Sequence, residues 1–194
     1  SAILFGGRRA KVAPLVYQSF DWEHGVFVGA TMGSETTAAA TGQVGVVRRD
    51  PMAMLPFCGY NMGDYFGHWL EMGKKIPNPP QIFNVNWVRT DDAGHFIWPG
   101  FGDNFRVVQW ILDRARGDAD AQESAIGYLP KPEDIELSGI EDEVGIGVVQ
   151  ELLSIDKESW AAEIENQTEF FSKFDRLPDE IRAQQAALKK RLGL

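Results

Sequence analysis

The 194-residue chain is 44% hydrophobic, which is enough to bury the core of one globular domain spanning residues 1–194. Its formal net charge of −9 and pI near 4.8 exclude a broad basic surface, so we expect no nucleic-acid partner. The apolar runs are only a few residues long, which predicts no membrane association, and the single cysteine, Cys58, favours a reducing, cytoplasmic location.

The predicted elements are strands at first and helices later. Apolar runs bounded by turn residues predict strands at 2–5, 15–17, 44–49, 82–88 and 95–98. Helical periodicity and capping residues predict helices at 21–31, 61–73, 105–117, 148–153, 156–174 and 178–192. The turn at 91–94 should join the last two strands into a hairpin.

This order of elements indicates the α/β class in its mixed α+β form. We expect a partial mixed sheet with flanking helices and a helical C-terminus. The chain divides into 1–117, which holds most candidate residues, an irregular connection at 118–147, and a helical tail at 148–194. In the helix that follows Asn104, the spacing predicts that Phe105, Val108 and Leu112 face the core.

The segment from Gly33 to Gly42 has the sequence GSETTAAATG. It is small and polar, so it gains little free energy by packing. Such a composition predicts a surface loop or a mobile lid.

The stretch Phe5-Gly6-Gly7-Arg8-Arg9 follows the first predicted strand. Glycine allows backbone N–H groups to approach an anion closely, and arginine binds phosphate or carboxylate oxygens in a fork. The stretch therefore fits an anion site, but a turn with surface arginines has the same composition. No G-x-x-x-x-G-K-[ST] phosphate loop occurs in the sequence.

A metal site finds little support in the sequence. Asp21 and His24 could share one helix face, as could Asp64 and His68, but no further His or Cys is spaced to complete a set of three or four ligands. A helix cap with a hydrogen-bonded histidine is the alternative for the first pair. Cys58 has no basic neighbour in sequence that would make it a reactive thiolate.

Residues 95–104, HFIWPGFGDN, place three large rings among turn-forming residues. Rings in such a setting cannot follow a regular period for long, so at least one should face away from the core. Phe96, Trp98 and Phe101 offer faces on which a purine could stack, and Asn104 offers a donor and an acceptor for its edge. Residue chemistry alone favours an aromatic core hairpin over a base site.

Four stretches of the sequence together resemble one family. They are FGGRR at 5–9, PLVYQSFDWEHGVFVGATMGSETTAAA at 14–40, RDPMAMLPFCGYNMGDYFGHWL at 49–70 and VNWVRTDDAGHFIWPGFGDNFRVVQWI at 85–111. They are similar to the C-terminal part of GTP-dependent phosphoenolpyruvate carboxykinase, over about the last third of that family's length.

The resemblance implies an enzyme that converts oxaloacetate and GTP to phosphoenolpyruvate, GDP and carbon dioxide, with Mn²⁺ and Mg²⁺. It implies that the fold is the C-terminal portion of the family's nucleotide-binding domain. A cation and a dry site suit decarboxylation to an enolate, and phosphoryl transfer then needs positioning and charge neutralisation.

The resemblance also implies roles for individual residues. Arg8 matches an arginine that contacts the transferring phosphoryl group, and Phe57 matches a ring beside the substrate carboxylate. The segment 31–43 matches a mobile active-site lid, with Thr31, Gly33, Ser34, Glu35, Thr36, Thr37, Ala38, Ala39, Gly42 and Gln43.

The guanine pocket implied by the resemblance consists of Trp87, Val88, Phe96, Phe101 and Asn104. Phe101 would stack on the base, Phe96 would contact the ring edge and Asn104 would read the base. Val88 departs from the family, which usually has a stacking phenylalanine there, so weaker affinity or base selectivity is expected.

The family's phosphate loop, reactive cysteine and metal ligands would lie upstream of residue 1. The chain begins Ser1-Ala2 without methionine, and we expect it to be a fragment that is catalytically inactive alone. The resemblance implies a monomeric intact enzyme, whereas the fragment could self-associate through exposed strand edges. A free-standing guanine-nucleotide-binding or scaffold module is the competing hypothesis.

Overall fold

The computed structural model describes residues 1–37 and 45–194. Its main sheet has five strands in the order β1-β5-β2-β7-β6. These strands are β1 (Ala2–Gly6), β2 (Val16–Gln18), β5 (Gln81–Val85), β6 (Gln122–Glu123) and β7 (Tyr128–Leu129). The pair β1–β5 is parallel and the other pairs are antiparallel, so the predicted mixed sheet in an α/β fold is confirmed.

Helices cover both faces of this sheet. They are α1 (Trp22–Ala30), α2 (Met62–Lys75), α3 (Asn104–Arg116), α4 (Ile146–Leu152), α5 (Lys157–Phe171) and α6 (Asp179–Leu192). Short 3-10 turns lie at Pro51–Ala53, Leu55–Phe57 and Pro132–Asp134. Among the described helices none is long and apolar enough to cross a membrane.

Neighbouring residues of one strand enter different cores. Ile82 belongs to a first core with α1, α2, α5 and α6, whereas Phe83 belongs to a second core with α3 and α4. Tyr17 and Val16 divide in the same way. Because successive side chains of a strand point to opposite faces, the two cores lie on the two sides of the sheet.

Several predicted boundaries are wrong. The strand predicted at 82–88 ends at Val85, and the segment 95–98 forms only one isolated bridge, between Thr90 and Phe96. The strands beside it stop at the same level, since Gly6 of β1 and Val16 of β2 are the residues that pair with Val85, so the ladder has no partner strand beyond this residue. The turn at 91–94 is confirmed.

Helix α3 buries a different face from the predicted one. Phe105 and Leu112 are exposed, while Val107, Trp110 and Ile111 are buried in the second core. Both sets have helical spacing, so the sheet that the helix packs against decides which set is covered.

Two loops predicted from composition contain strands. The segment 33–42 begins with β3 (Gly33–Glu35), which pairs with β4 (Val47–Arg49) as a separate antiparallel ribbon. The connection 118–147 supplies β6 and β7 to the main sheet. Both sets of strands are only two or three residues long, so they give little period-2 signal.

Candidate functional site

A cleft of about 310 Å³ lies at the carboxyl ends of the parallel strands β1 and β5. It is lined by Leu4, Phe5, Gly6, Gly7, Arg8, Ser34, Val85, Trp87 and Val88. Ligands of open α/β sheets bind outside the carboxyl ends of the strands. The structure thus brings four residues of the predicted site, Arg8, Ser34, Trp87 and Val88, to one place where a ligand is expected.

The loop that carries Arg8 is tightly clamped by the β3 ribbon. The Arg8 backbone N–H donates to Ser34 Oγ at 3.0 Å, and the Glu35 N–H donates to the Arg8 carbonyl oxygen at 2.7 Å. A Cβ at Gly7 would collide with the carbonyl oxygen of Gly33. Close approach of two backbones therefore explains why glycine is needed at position 7.

The two arginines of this loop have opposite environments. Arg8 is exposed at the cleft, and its guanidinium has no hydrogen-bond or ion-pair partner in the described part of the chain. Arg9 is 8% exposed, and its Nη2 lies 2.5 Å from Glu163 Oε2. Arg8 is thus available to an anion, whereas Arg9 belongs to the interior.

Glu163 in α5 joins two buried arginines. Its Oε1 lies 2.6 Å from Nη1 of Arg49, which ends β4, while its Oε2 pairs with Arg9. Burial alone would raise the pKa of Glu163, but hydrogen bonds and charges from Arg9 and Arg49 outweigh it and lower the pKa to about 2. Arg9 also lies 3.5 Å from Glu35 Oε1. Glu163 thereby ties the helical tail to the Arg8 loop and to the base of the predicted lid, a role that a lone glutamate in a helical pattern does not signal.

Asn86 is a second residue that sequence reasoning missed. Its Nδ2 donates to the carbonyl oxygens of Arg9 and Ala13 at 2.7 and 2.8 Å, and its Oδ1 accepts from the Arg9 N–H at 3.3 Å. The residue is 1% exposed. It fixes the exit of β5, and with it Trp87 and Val88, against the Arg8 loop.

The aromatic stretch 95–104 divides into buried and exposed rings. Trp98 is 2% exposed in the second core, whereas Phe96 is 68% exposed and Phe101 is fully exposed. Gly100 and Gly102 have φ values of 88° and 96°, so a tight turn projects Phe101 into solvent. The prediction that at least one ring faces away from the core is confirmed.

Asn104 begins α3 directly after this turn. Its backbone N–H donates to the Gly100 carbonyl oxygen at 2.9 Å, and its Oδ1 accepts from Trp98 Nε1 at 2.9 Å. Phe96, Phe101 and Asn104 do not line the cleft described above. The bridge between Thr90 and Phe96 nevertheless connects the Trp87–Val88 segment to the aromatic turn.

Phe57 lies in the 3-10 turns after β4 and is 75% exposed, outside the cleft lining. The neighbouring Met52 and Ala53 have φ values of 53° and 55°, a left-handed conformation that costs non-glycine residues about 1–2 kcal/mol each. Strained backbone of this kind clusters at functional sites, a feature that the sequence did not signal.

The predicted lid is described only at its base. Thr31 follows α1, Gly33, Ser34 and Glu35 form β3, and Thr36 and Thr37 follow it. Ala38, Ala39, Gly42 and Gln43 lie outside the described residues. The base is therefore a strand that is hydrogen-bonded to the Arg8 loop, not a free loop.

Asp21 and His24 form a helix cap. Asp21 Oδ1 accepts from the His24 backbone N–H at 2.7 Å, and His24 Nδ1 accepts from the Phe20 N–H at 3.0 Å. Burial, assisted by the charge of Arg191, lowers the pKa of His24 to about 4. Within residues 1–37 and 45–194, no group of three or more His, Cys, Asp and Glu side chains could hold a metal ion.

Comparison with known proteins identifies one family. The profile of the phosphoenolpyruvate carboxykinase C-terminal P-loop domain matches residues 1–191. A protein of Anaeromyxobacter sp. (strain K) named phosphoenolpyruvate carboxykinase (GTP) is 53% identical over 193 residues, which are 99% of this chain and 32% of that protein.

Two further relatives carry the same name. The Thermoplasma volcanium protein is 52% identical and the Renibacterium salmoninarum protein is 51% identical, each across 100% of this chain and 32% of its own length. The chain therefore spans about a third of the length of the curated relatives that it matches. A profile match over residues 1–191 shows that the chain belongs to the phosphoenolpyruvate carboxykinase C-terminal P-loop domain family.

Proposed function

We propose that this chain supplies guanine-nucleotide binding to a GTP-dependent phosphoenolpyruvate carboxykinase. The whole enzyme would convert oxaloacetate and GTP to phosphoenolpyruvate, GDP and carbon dioxide in the cytoplasm. The observation that carries the proposal is the cleft at the ends of β1 and β5, which the exposed Arg8 lines together with Trp87 and Val88. Such a cleft suits a ligand with an anionic part and a flat part.

Arg8 is the residue proposed to contact the transferring phosphoryl group. Its backbone is clamped by Ser34 and Glu35, while its side chain remains exposed. A fixed backbone with an unpaired guanidinium favours anion binding, because little further ordering is needed when the ligand arrives. Phe57 is proposed to lie beside the substrate carboxylate, and residues 31–43 to act as the lid.

The aromatic turn is proposed as the base site. Phe101 is fully exposed and Phe96 is 68% exposed, so both can bury apolar surface against a purine. Base–aromatic stacking contributes about 1–3 kcal/mol per base by alanine substitution, with little discrimination between bases. Asn104 is therefore proposed to provide the discrimination.

Mn²⁺ and Mg²⁺ are proposed to act in the intact enzyme with ligands from outside this chain. The described residues contain no suitable cluster of ligands, so we assign no metal-dependent step to them. We accordingly expect the 194-residue chain to bind nucleotide but not to convert oxaloacetate to phosphoenolpyruvate. Conversion of oxaloacetate by the purified chain with GTP and Mn²⁺ would contradict this expectation.

Calorimetric titration of the chain with GDP and ADP tests the proposed function. GDP should bind more tightly than ADP, and Phe101→Ala should weaken GDP binding by about 1–3 kcal/mol. Phe105→Ala is the matched control, because Phe105 is another exposed ring (63%) of the same region that is not assigned to the base site. Equal affinities for GDP and ADP, or no binding of GDP, would overturn the proposal.

A further variant examines the departure at position 88. Val88→Phe restores the ring usually present in the family and adds a second stacking face in the segment next to the cleft. We expect GDP to bind more tightly to this variant, with the GDP-to-ADP preference retained. No gain in affinity would mean that residue 88 does not touch the base.

A further inference from the structure

The contact between Trp98 and Asn104 fixes which atoms Asn104 can offer to a ligand. The indole Nε1–H of Trp98 is a donor only, and it lies 2.9 Å from Oδ1 of Asn104. A carboxamide turned by 180° would place its NH₂ group against this N–H, leaving two donors facing each other. The chemistry of the pair therefore selects the oxygen-to-indole orientation.

Both partners of this contact are held from other directions. Trp98 is 2% exposed in the second core, and the Asn104 backbone N–H is bonded to Gly100. Asp103, the preceding residue, is paired with Arg106 at 2.8 Å, and Arg106 also donates to the carbonyl oxygens of Glu136 and Ser138. The start of α3 is thus fixed, and rotation of the Asn104 amide is the freedom that the indole removes.

The other end of the amide is left for a ligand. In the described part of the chain, Asn104 Nδ2 has no intramolecular hydrogen-bond partner, and the residue is only half-buried. Asn104 follows the fully exposed Phe101 by three residues, at the end of the glycine turn. A base stacked on that ring would meet an NH₂ donor whose orientation is already fixed.

We propose that Trp98 is a positioning residue that sets base specificity by fixing the orientation of the Asn104 amide. The inference rests on the proposed function and deepens it. A fixed NH₂ donor pairs with the carbonyl oxygen at C6 of guanine or hypoxanthine, and it meets the amino group at C6 of adenine as a second donor. The ligand class selected is therefore a 6-oxopurine nucleotide.

A free amide would discriminate poorly. If the amide could turn, it would offer its oxygen to adenine and its NH₂ group to guanine with similar ease. Leaving a buried donor without an acceptor is what rejects the wrong base, and this penalty requires that the amide cannot adapt. Selectivity for the 6-oxo group thus depends on the indole N–H, which itself does not touch the base.

Titration of the full chain with GDP, IDP and ADP tests this inference through three variants. Trp98→Phe keeps most of the ring volume and removes the N–H, so the GDP-to-ADP preference should fall about tenfold or more. Asn104→Asp keeps an acceptor for the indole but removes the donor, so GDP and IDP should bind at least about tenfold more weakly while ADP does not. Trp110→Phe is the matched control, because Trp110 is buried in the same core and its Nε1 has no partner.

A measurement without nucleotide tests the role of Trp98 separately from the proposed nucleotide binding. In ¹⁵N NMR spectra, the Trp98 indole N–H should exchange with water faster in Asn104→Ala than in the unaltered chain, and Asn104→Asp should retain slow exchange. Unchanged exchange in Asn104→Ala would overturn the inference whether or not nucleotide binds, and it does not require the Trp98 variant to fold.

The outcomes of the titration are equally distinct. A Trp98→Phe variant that keeps the full GDP preference would overturn the inference and leave the proposed function standing. Equal GDP and ADP affinities in the unaltered chain would overturn the proposed function instead. Loss of preference in Trp98→Phe but not in Trp110→Phe would support both.

Discussion

The Arg8 loop and the aromatic turn are both proposed to bind nucleotide, but they are built differently. The loop at 6–9 is clamped by Ser34, Glu35 and Asn86, and a buried ion pair between Arg9 and Glu163 supports it. The turn at 99–103 is closed by hydrogen bonds to the Gly100 carbonyl oxygen and fixed to the core through Trp98. One region is held by charges from distant elements, and the other is held locally.

The difference matches the part of a ligand that each region is proposed to meet. Charge stabilisation of a phosphoryl group depends on donors held at hydrogen-bond distance in a site that excludes water, so the group that provides it needs a rigid support. Stacking tolerates lateral sliding of a ring over a base, because offset arrangements are favourable and no single pair of atoms has to be matched. A rigid loop and an exposed ring are therefore each suited to their proposed partner.

The largest expected effect comes from breaking the support of the Arg8 loop. Glu163→Gln leaves Arg49 buried without a carboxylate partner and leaves Arg9 only the more distant carboxylate of Glu35, which should lower the free energy of unfolding by about 3–5 kcal/mol. Chemical denaturation measures this change. Glu165→Gln alters an exposed carboxylate on the same helix and should stay within about 0.5 kcal/mol of the parent. Equal effects of the two substitutions would show that the buried pair is not a support.

Acid should destabilise the fold without breaking that support. The pKa of His24 is lowered from 6.5, the value expected in the unfolded chain, to about 4 in the folded chain. Between pH 4 and 6.5 the unfolded chain therefore binds a proton at His24 and the folded chain does not. The contribution of His24 to the free energy of unfolding is therefore fully present above pH 6.5. It decreases by on the order of 3 kcal/mol as the pH falls towards 4. Glu163, with a pKa of about 2, stays ionised throughout this window.

Denaturation curves from pH 4 to 7 check this expectation. His24→Gln keeps an acceptor for the Phe20 N–H but does not titrate, so its stability should change less with pH. His68→Gln replaces an exposed histidine and should retain the pH dependence of the parent. The same pH dependence in both variants would show that His24 is not the cause.

The smallest expected effect on the free energy of unfolding concerns the exposed ring of the aromatic turn. Phe101→Ala should change the free energy of unfolding by less than about 0.5 kcal/mol, because the ring is fully exposed. Trp98→Ala, two positions beyond the bridge residue Phe96, should cost about 3–5 kcal/mol, because it empties a buried site. A large loss of thermal stability in Phe101→Ala would mean that this ring packs in the fold.

Local signals in the sequence predicted many of the elements. The Asp21 cap begins α1, Asn61 caps α2, and Gly117 ends α3 in the left-handed conformation. Each of these signals acts within a few residues, so no distant contact is needed to read it. The exposure of at least one ring in the aromatic turn was predicted for the same reason, since proline and glycine interrupt any regular period there.

Elements could not be predicted where the local sequence is compatible with more than one structure. Helix α3 has two apolar stripes, and only packing against the sheet buries the one with Trp110. Likewise, β7 is two residues long and exists because the antiparallel edge of β2 accepts it. The strand β5 stops at Val85 because its neighbours β1 and β2 end at the same level, at Gly6 and Val16.

The sequence by itself determined the family, the mixed α/β class, and the residue types that a nucleotide site would use, because these depend on composition, spacing and local conformation. Only the tertiary structure decided that Arg8 is exposed while Arg9 is buried, that Glu163 supports both the loop and the β3–β4 ribbon, and that Trp98 donates a hydrogen bond to Asn104. The physical reason is that ion pairs and hydrogen bonds between residues 154 positions apart, as for Arg9 and Glu163, are set by burial and packing, which no local pattern encodes.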